Sequence, residues 1–169
     1  MPLRLGLVLA GLLALAACSR DSEDAVRARL AAWFYVDELK YFHSKTRCTA
    51  AVYEVAAVYP RPAMKVYSDV NMAKKAFTEV GLSAFQMARY SPNDLTDALL
   101  LSGRGTMGKQ ALAAAAQAVP CFKGTSAEAQ LREALTRPGG TLAYDRGSDG
   151  LIVLDPDAMR FFYVAGDVW

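Results

Sequence analysis

The fold of this chain is decided by residues 141–165, which read TLAYDRGSDGLIVLDPDAMRFFYVA. Three segments rich in β-branched, aromatic and leucine residues, 141–145, 151–155 and 159–165, are separated by stretches of Asp, Gly, Ser and Pro. Residues of the first kind favour strands, and those of the second kind favour tight turns. The stretch therefore predicts a meander of three antiparallel strands.

Three helices are predicted in the middle of the chain. Residues 91–94 combine a capping serine with a proline at the first helical position and an acid three residues after the cap. Residues 125–128 form a second capping box, and the helix that it opens runs to about residue 136. The alanine-rich segment 110–119 favours a further helix, which Pro120 ends.

The first half of the chain predicts two more helices and a strand. Residues 22–44 begin with a capping serine and two acids, and their apolar positions spread around most of a helix. Such a helix is usually buried, although it can also face a partner. Residues 47–58 predict a strand and residues 68–80 a helix, whereas 82–90 suit either.

Together these elements predict one α+β domain over residues 23–169. Helices pack on a small antiparallel sheet, which includes the C-terminal three-stranded meander and can also include the strand at 47–58. The chain of 169 residues carries a formal net charge of +2, so it has no basic field suited to nucleic acid.

Aromatic residues concentrate in the first predicted helix and near the C-terminus. The simplest interpretation is that the two groups pack together in the core. The alternative is an exposed partner-binding patch made of Phe161, Phe162 and Trp169. Consecutive strand residues point to opposite faces, so at least one of the adjacent rings leaves the core unless helices cover both faces.

The N-terminal residues carry the features of an export signal. Arg4 precedes the uncharged segment 5–19, and Leu15-Ala16-Ala17 stands directly before Cys18. This pattern resembles the lipobox of bacterial lipoproteins, and the resemblance covers residues 1–18 only. It implies that residues 1–17 are removed as a signal peptide and that Cys18 is acylated. The alternatives are soluble export and a transmembrane helix, which needs about 20 apolar residues.

Acylation implies that the domain is anchored on the periplasmic side of a membrane. Residues 18–22 then form a lipidated N-terminus and a short tether, of which four extended residues reach about 14 Å at most. Ser19 follows the cysteine, and in the better-known lipoprotein sorting systems Asp at this position retains the protein in the inner membrane. The resemblance therefore favours the outer membrane. The bilayer is the expected partner through Cys18, and an envelope protein is a further candidate.

Lipidation of Cys18 leaves a single pair of cysteines, Cys48 and Cys121. Because the periplasm is oxidising, we expect a disulfide between them. Closing this long loop would stabilise the fold by about 4 kcal/mol on the loop-entropy model. The alternative is two buried free thiols that act as small apolar residues.

Residues 103–108 match G-x-G-x-x-G, a pattern that binds pyrophosphate only between a strand and a helix. A helix is predicted before this segment, so the pattern favours punctuation between two helices, and we expect no nucleotide. A weaker alternative is a small-anion site made of Gly103, Arg104, Gly105 and Lys109.

His43 is the only histidine, so a metal site built on histidines is excluded. Residues 145–150 are similar to half of a calcium loop, but Pro156 stands where the bidentate glutamate would be needed, which favours a hairpin turn. His43 is also the only candidate for a catalytic base, although it more often ends a helix. No cofactor is expected.

The sequence thus predicts a membrane-anchored periplasmic lipoprotein that acts as a non-enzymatic binding or envelope-assembly module. The alternative is an envelope hydrolase whose site is not recognisable from the sequence.

Overall fold

The computed structural model describes residues 19–102 and 106–167, which form one sheet with helices packed on it. The strands in chain order are β1 (Val36–Lys45), β2 (Cys48–Val55), β3 (Val66–Tyr67), β4 (Leu82–Phe85), β5 (Thr141–Asp145), β6 (Gly150–Asp155) and β7 (Arg160–Gly166). The helices are α1 (Glu23–Ala31), α2 (Val70–Val80), α3 (Pro92–Leu101), α4 (Thr106–Ala118) and α5 (Ser126–Thr136), and a 3₁₀ turn (Val119–Cys121) follows α4.

The sheet confirms the predicted α+β class. Its strand order is β1-β2-β7-β6-β5-β4-β3, and every neighbouring pair is antiparallel except β3 and β4. The C-terminal meander β5-β6-β7 lies in its middle, closed by the turns that pair Asp145 with Gly150 and Asp155 with Arg160. The predicted strand at 47–58 joins the sheet as β2, and the sheet is larger than predicted because β1, β4 and β3 extend it further.

The two faces of the sheet carry separate apolar cores, because successive strand residues point in opposite directions. On one side, Phe162 and Val164 pack under α2, α3, α4 and α5; we call this side the helical face. On the other side, Phe161 and Tyr163 pack with α1 and the segment after it; we call this side the N-terminal face. Helices therefore cover both faces of the central strands.

A glycine allows α4 to lie close against the sheet. A Cβ added at Gly166 would stand 2.3 Å from the Cβ of Gln117 in the last turn of α4. Any side chain at position 166 would therefore push the end of α4 away from β7. Gly166 pairs with Cys48, the first residue of β2. This close approach therefore places the end of α4 over the start of β2, near the disulfide and the cavities described below.

The prediction of one helix over residues 22–44 is wrong. The helix α1 ends at Ala31, and residues 36–45 form the edge strand β1, which pairs with β2 from Val36↔Val55 to Lys45↔Cys48. The apolar residues of this segment occur at both helical and strand-like spacings, and pairing with a strand further along the chain decides between them. Pairing in the hairpin then overrides the helical pattern.

Most predicted helix ends are confirmed. Ser91 and Asp94 form a complete capping box, and Gly81 ends α2 in the left-handed conformation. The helix predicted over residues 68–80 is capped by Asp69, whose carboxylate accepts a hydrogen bond from the amide of Met72. At α5 the box is incomplete, because the Thr125 hydroxyl donates to the carbonyl of Phe122. The ambiguous segment 82–90 begins with the strand β4.

The signal segment, Cys18, Gly103, Arg104, Gly105 and Trp169 lie outside the described residues. Within the part of the chain that is described, no helix has both the length and the apolar character needed to cross a bilayer.

Candidate functional site

The predicted disulfide between Cys48 and Cys121 is present, with the two Cα atoms 6.0 Å apart. It ties the first residue of β2 to the 3₁₀ turn that follows α4. The turn is held a second time by Tyr41 on β1, whose hydroxyl donates to the carbonyl of Cys121 at 2.6 Å. The end of α4 is thus fixed against the edge of the sheet.

A basic pocket opens beside this disulfide. Tyr41, His43 and Lys45 alternate along β1, so their side chains lie on the same face of the strand. Lys123 approaches them from the segment after the 3₁₀ turn. The pocket has a volume of about 280 Å³ and is lined by Tyr41, His43, Lys45, Pro120, Cys121, Phe122, Lys123 and Thr125. Three of its side chains are basic and none is a carboxylate.

Lys45 connects the pocket to the N-terminus of the described chain. Its ammonium group donates to the carbonyl of Pro120 at 2.9 Å, which draws β1 towards the 3₁₀ turn. Its backbone carbonyl accepts a hydrogen bond from the amide of Arg20 at 2.8 Å. The pocket therefore lies next to Arg20, near the start of the described chain.

An apolar groove lies between α4 and α5, on the outer side of the helical layer. It has a volume of about 360 Å³ and is lined by Leu112, Ala115, Ala116, Val119, Phe122, Glu128, Leu131, Arg132 and Leu135. Leu112 is 48% exposed and Val119 is 38% exposed, so apolar surface there meets solvent. Two alanines of α4, Ala115 and Ala116, form part of its wall.

The ring of Phe122 lines both cavities, so the basic pocket and the apolar groove are neighbours. Phe122 is itself buried. One end of the helical face therefore presents positive charge and apolar surface side by side.

The polar rim of the groove is internally paired. Glu128 accepts a hydrogen bond from the amide of Gly124 at 2.7 Å and another from Arg132 at 3.0 Å. The backbone hydrogen bond from Gly124, together with the positive charge of Arg132, lowers the pKa of Glu128 below its ordinary value. Its negative charge is thus already balanced by the groups around it.

Arg20 and Asp21 fix the start of the domain in a network that we call the N-terminal clasp. The guanidinium of Arg20 bonds Asp167 at 3.2 Å, Asp21 at 3.0 Å and the carbonyl of Ser148 at 2.7 Å. Burial opposes the charge of Arg20, but the carboxylates of Asp21 and Asp167 outweigh it and raise the pKa of this side chain. The clasp thus joins the N-terminal segment to the turn between β5 and β6 and to the residue that follows β7.

Asp21 completes the clasp on the N-terminal face. Its carboxylate accepts a hydrogen bond from the hydroxyl of Thr49 at 2.7 Å and lies 3.6 Å from Arg29. Its amide donates to the hydroxyl of Ser44 at 3.0 Å. Residues 18–22 were predicted to form a tether, yet from Arg20 onwards this segment belongs to the folded domain.

The prediction of an exposed aromatic patch is wrong for Phe161 and Phe162, because both side chains are buried. Phe161 is 0% exposed and Phe162 is 2% exposed, since each packs in the core on its own side of β7. Neither ring is available to a partner on the surface. The interpretation that the aromatic groups pack together is confirmed on the N-terminal face, where Phe34 and Phe161 have ring centroids 4.7 Å apart.

His43 and Lys109 are the other predicted site residues that the structure describes. His43 lies on a strand instead of ending a helix, and the pocket around it contains no carboxylate of the described chain. The structure therefore does not bring His43 together with an acid in a triad. Lys109 is exposed in the first turns of α4. The other members of the weaker anion site are outside the described residues.

Among the described residues, no group of three or more His, Cys, Asp or Glu side chains is arranged to hold a metal ion. No family model, curated protein or solved structure matches this chain. The function proposed below is therefore inferred from the geometry of this domain.

Sequence reasoning identified His43 but missed Lys45, Lys123 and the apolar groove. The spacing of Tyr41, His43 and Lys45 contained a signal, because alternate residues share one face of a strand. That signal was hidden when the segment was predicted to be helical. Lys123 joins the others only through the disulfide and the turn that it fixes.

Proposed function

We propose that this protein is a lipid-anchored periplasmic binding module, held against the membrane surface by Cys18. The observation that carries the proposal is the position of Lys45. This residue contacts Arg20 on one side and the turn between the two cavities on the other. The anchored end and the possible binding surfaces are therefore parts of one end of the domain.

The clasp makes the anchor short and rigid. Arg20 is two residues after Cys18, and two extended residues span about 7 Å at most. An acyl group on Cys18 would hold the clasped end of the domain at the headgroup layer, and two or three acyl chains give stable attachment. The domain would then have a fixed orientation on the bilayer instead of swinging on a tether.

Lipid labelling in a bacterial host tests the anchor. Cells producing the full chain are fed an alkyne-bearing fatty acid, and the protein is isolated and reacted with a fluorescent azide. We expect labelling of the natural chain and of Cys121→Ala, and no labelling of Cys18→Ala. Persistent labelling of Cys18→Ala would contradict the proposal.

Membrane fractionation tests the location. We expect the natural chain in the outer membrane and Ser19→Asp shifted to the inner membrane, in a host whose sorting system responds to Asp at that position. Ser22→Asp is the matched control, because it adds the same charge three residues further on, and should leave the location unchanged. Recovery of the natural chain from the soluble fraction would contradict anchoring.

A further inference from the structure

We propose that the basic pocket and the apolar groove together form one binding site for an anionic phospholipid, with the headgroup phosphate in the pocket and an acyl chain in the groove. This inference deepens the proposed function, on which it rests for the source of the ligand. Its starting point is that the two cavities share the wall formed by Phe122.

The charges of the pocket suit a phosphate group. His43 and Lys45 from β1 and Lys123 from the loop present basic nitrogen atoms from two sides of the cavity. Phosphate oxygens accept charge-assisted hydrogen bonds from such groups. Glu128, which lines the neighbouring groove, accepts hydrogen bonds from Gly124 and Arg132, so its carboxylate is turned to these partners.

Each hydroxyl group of the pocket donates its single O–H to a backbone carbonyl, whereas the ammonium group of Lys45 has three N–H donors and gives one to Pro120. Tyr41 donates to the carbonyl of Cys121, and Thr125 donates to the carbonyl of Phe122. These bonds hold the pocket wall in place. Recognition of an anion therefore depends on the charged side chains, and neutralising them should remove it.

The groove suits a hydrocarbon chain better than a peptide. Its lining is almost entirely aliphatic or aromatic, and its polar side chains, Glu128 and Arg132, are paired with each other at the rim. A peptide would bring backbone amides that need hydrogen-bond partners. An acyl chain makes no such demand, and it gains free energy from burial of its apolar surface.

The position of the site indicates that its ligand comes from the membrane. The carbonyl of Lys45 is bound to the amide of Arg20, two residues after the proposed acylated Cys18. A site so close to the anchor lies at the depth of the phospholipid headgroups. A basic pocket facing that layer attracts anionic lipids over zwitterionic ones.

Binding of single-chain lipids to the mature chain tests this site. The chain used is residues 18–169 with Cys18→Ser, which keeps both cores, the seven described strands and the disulfide but carries no lipid. Lysophosphatidylglycerol, lysophosphatidylcholine and glycerol 3-phosphate are titrated by calorimetry at concentrations at which the lipids are monomeric. We expect the anionic lysolipid to bind at least about tenfold more tightly than the zwitterionic one, a ratio worth about 1.4 kcal/mol.

Variants separate the two halves of the site. His43→Gln combined with Lys123→Gln should abolish the preference for the anionic lysolipid, because it weakens binding of the anionic lysolipid more than binding of lysophosphatidylcholine. Leu112→Gln should weaken both lysolipids by about tenfold without affecting glycerol 3-phosphate. Lys75→Gln and Leu101→Gln change an exposed lysine and an exposed leucine elsewhere, and should have no effect. A urea unfolding curve for each variant shows that it remains folded.

Three outcomes would overturn the proposal: equal affinity for the two lysolipids, equal affinity for glycerol 3-phosphate and the anionic lysolipid, or unchanged binding in the pocket and groove variants. The second outcome would indicate a site for free phosphate esters only. Lipid labelling at Cys18 is measured separately, so a failed anchor and a failed lipid site are distinguishable.

Discussion

The two faces of the sheet are built from the same strands but are covered in different ways. The helical face lies under four helices, and a disulfide ties the end of that layer to β2. The N-terminal face has one helix, α1, and part of its cover is polar. There Arg29 donates to the hydroxyl of Tyr163 at 3.0 Å and reaches Asp21 at 3.6 Å.

In the proposed function, this difference separates attachment from binding. Charged groups on the N-terminal face fix the segment next to Cys18, whereas the outer side of the helical layer keeps exposed apolar surface and the basic pocket. Lys45 links the two through contacts of its backbone and its side chain. The following predictions test whether the two faces behave as distinct parts of the domain.

The largest effect is expected from removing one core ring on each face. Phe162→Ala and Phe161→Ala should each lower the free energy of unfolding by about 3–5 kcal/mol, because both rings are buried. Only Phe161→Ala should also expose α1, since its ring packs against Phe34 just after that helix. Urea unfolding measures the first effect, and trypsin cleavage at Arg27 measures the second.

The matched control for these two variants is Val80→Ala, because Val80 is 75% exposed. It should change the free energy of unfolding by less than about 0.5 kcal/mol. Equal trypsin sensitivity of α1 in both phenylalanine variants would show that the two cores respond as one unit.

Loss of the disulfide should weaken the helical face. The double change of Cys48→Ala and Cys121→Ala is expected to lower the free energy of unfolding by about 2–5 kcal/mol. Amide hydrogen exchange should become faster in the last turn of α4 and in the 3₁₀ turn, while α1 keeps its protection. Dithiothreitol should destabilise the natural chain and leave the double variant unchanged; the same response in both chains would contradict a disulfide in the natural protein.

The N-terminal clasp should contribute less to the free energy of unfolding than either apolar core does. Asp21→Asn removes the charge that faces Arg20 and Arg29, and we expect a loss of about 1–2 kcal/mol because the pair is only partly buried. The loss should shrink as salt is added, since screening weakens the interaction in the natural chain. Asp97→Asn, at an exposed position on α3, is the control. A loss that does not depend on salt would assign the clasp to packing instead of charge.

Parts of this fold with local signals could be predicted from the sequence. The meander follows from alternating strand residues and turn residues within residues 141–165, and the start of α3 follows from Ser91 and Asp94. The disulfide followed from assigning Cys18 to lipid, which left two cysteines for an oxidising compartment. Each of these predictions needed few contacts from distant parts of the chain.

The edge strand β1 and the candidate site could not be predicted in this way. Residues 36–45 become a strand only because β2 offers them hydrogen-bond partners, a contact that local periodicity does not reveal. The basic pocket then needs β1, the disulfide and the 3₁₀ turn together before Lys123 meets His43. The groove likewise depends on the distance between α4 and α5, which Gly166 helps to set by admitting α4 close to β7.

The smallest effect concerns a buried hydroxyl on the N-terminal face. Tyr53 is 0% exposed, and its hydroxyl has no hydrogen-bond partner among the described residues. Burial, reinforced by the negative charge of Glu23, raises the pKa of Tyr53 to about 12. Tyr53→Phe should therefore raise the free energy of unfolding at pH 7 by up to about 1 kcal/mol, because an unsatisfied polar group is removed.

The pH dependence of the same variant follows from the direction of that shift. An unfolded tyrosine loses its proton near its ordinary pKa of about 10, while Tyr53 in the folded chain keeps its proton up to about pH 12. Between these pH values the tyrosine ionises in the unfolded state but not in the folded state. Ionisation stabilises the unfolded state relative to the folded one, so the free energy of unfolding falls as pH rises. Tyr53→Phe should make this fall shallower. Urea unfolding at pH 7 and pH 11 measures both effects, and identical slopes for the natural chain and Tyr53→Phe would indicate that water reaches this hydroxyl.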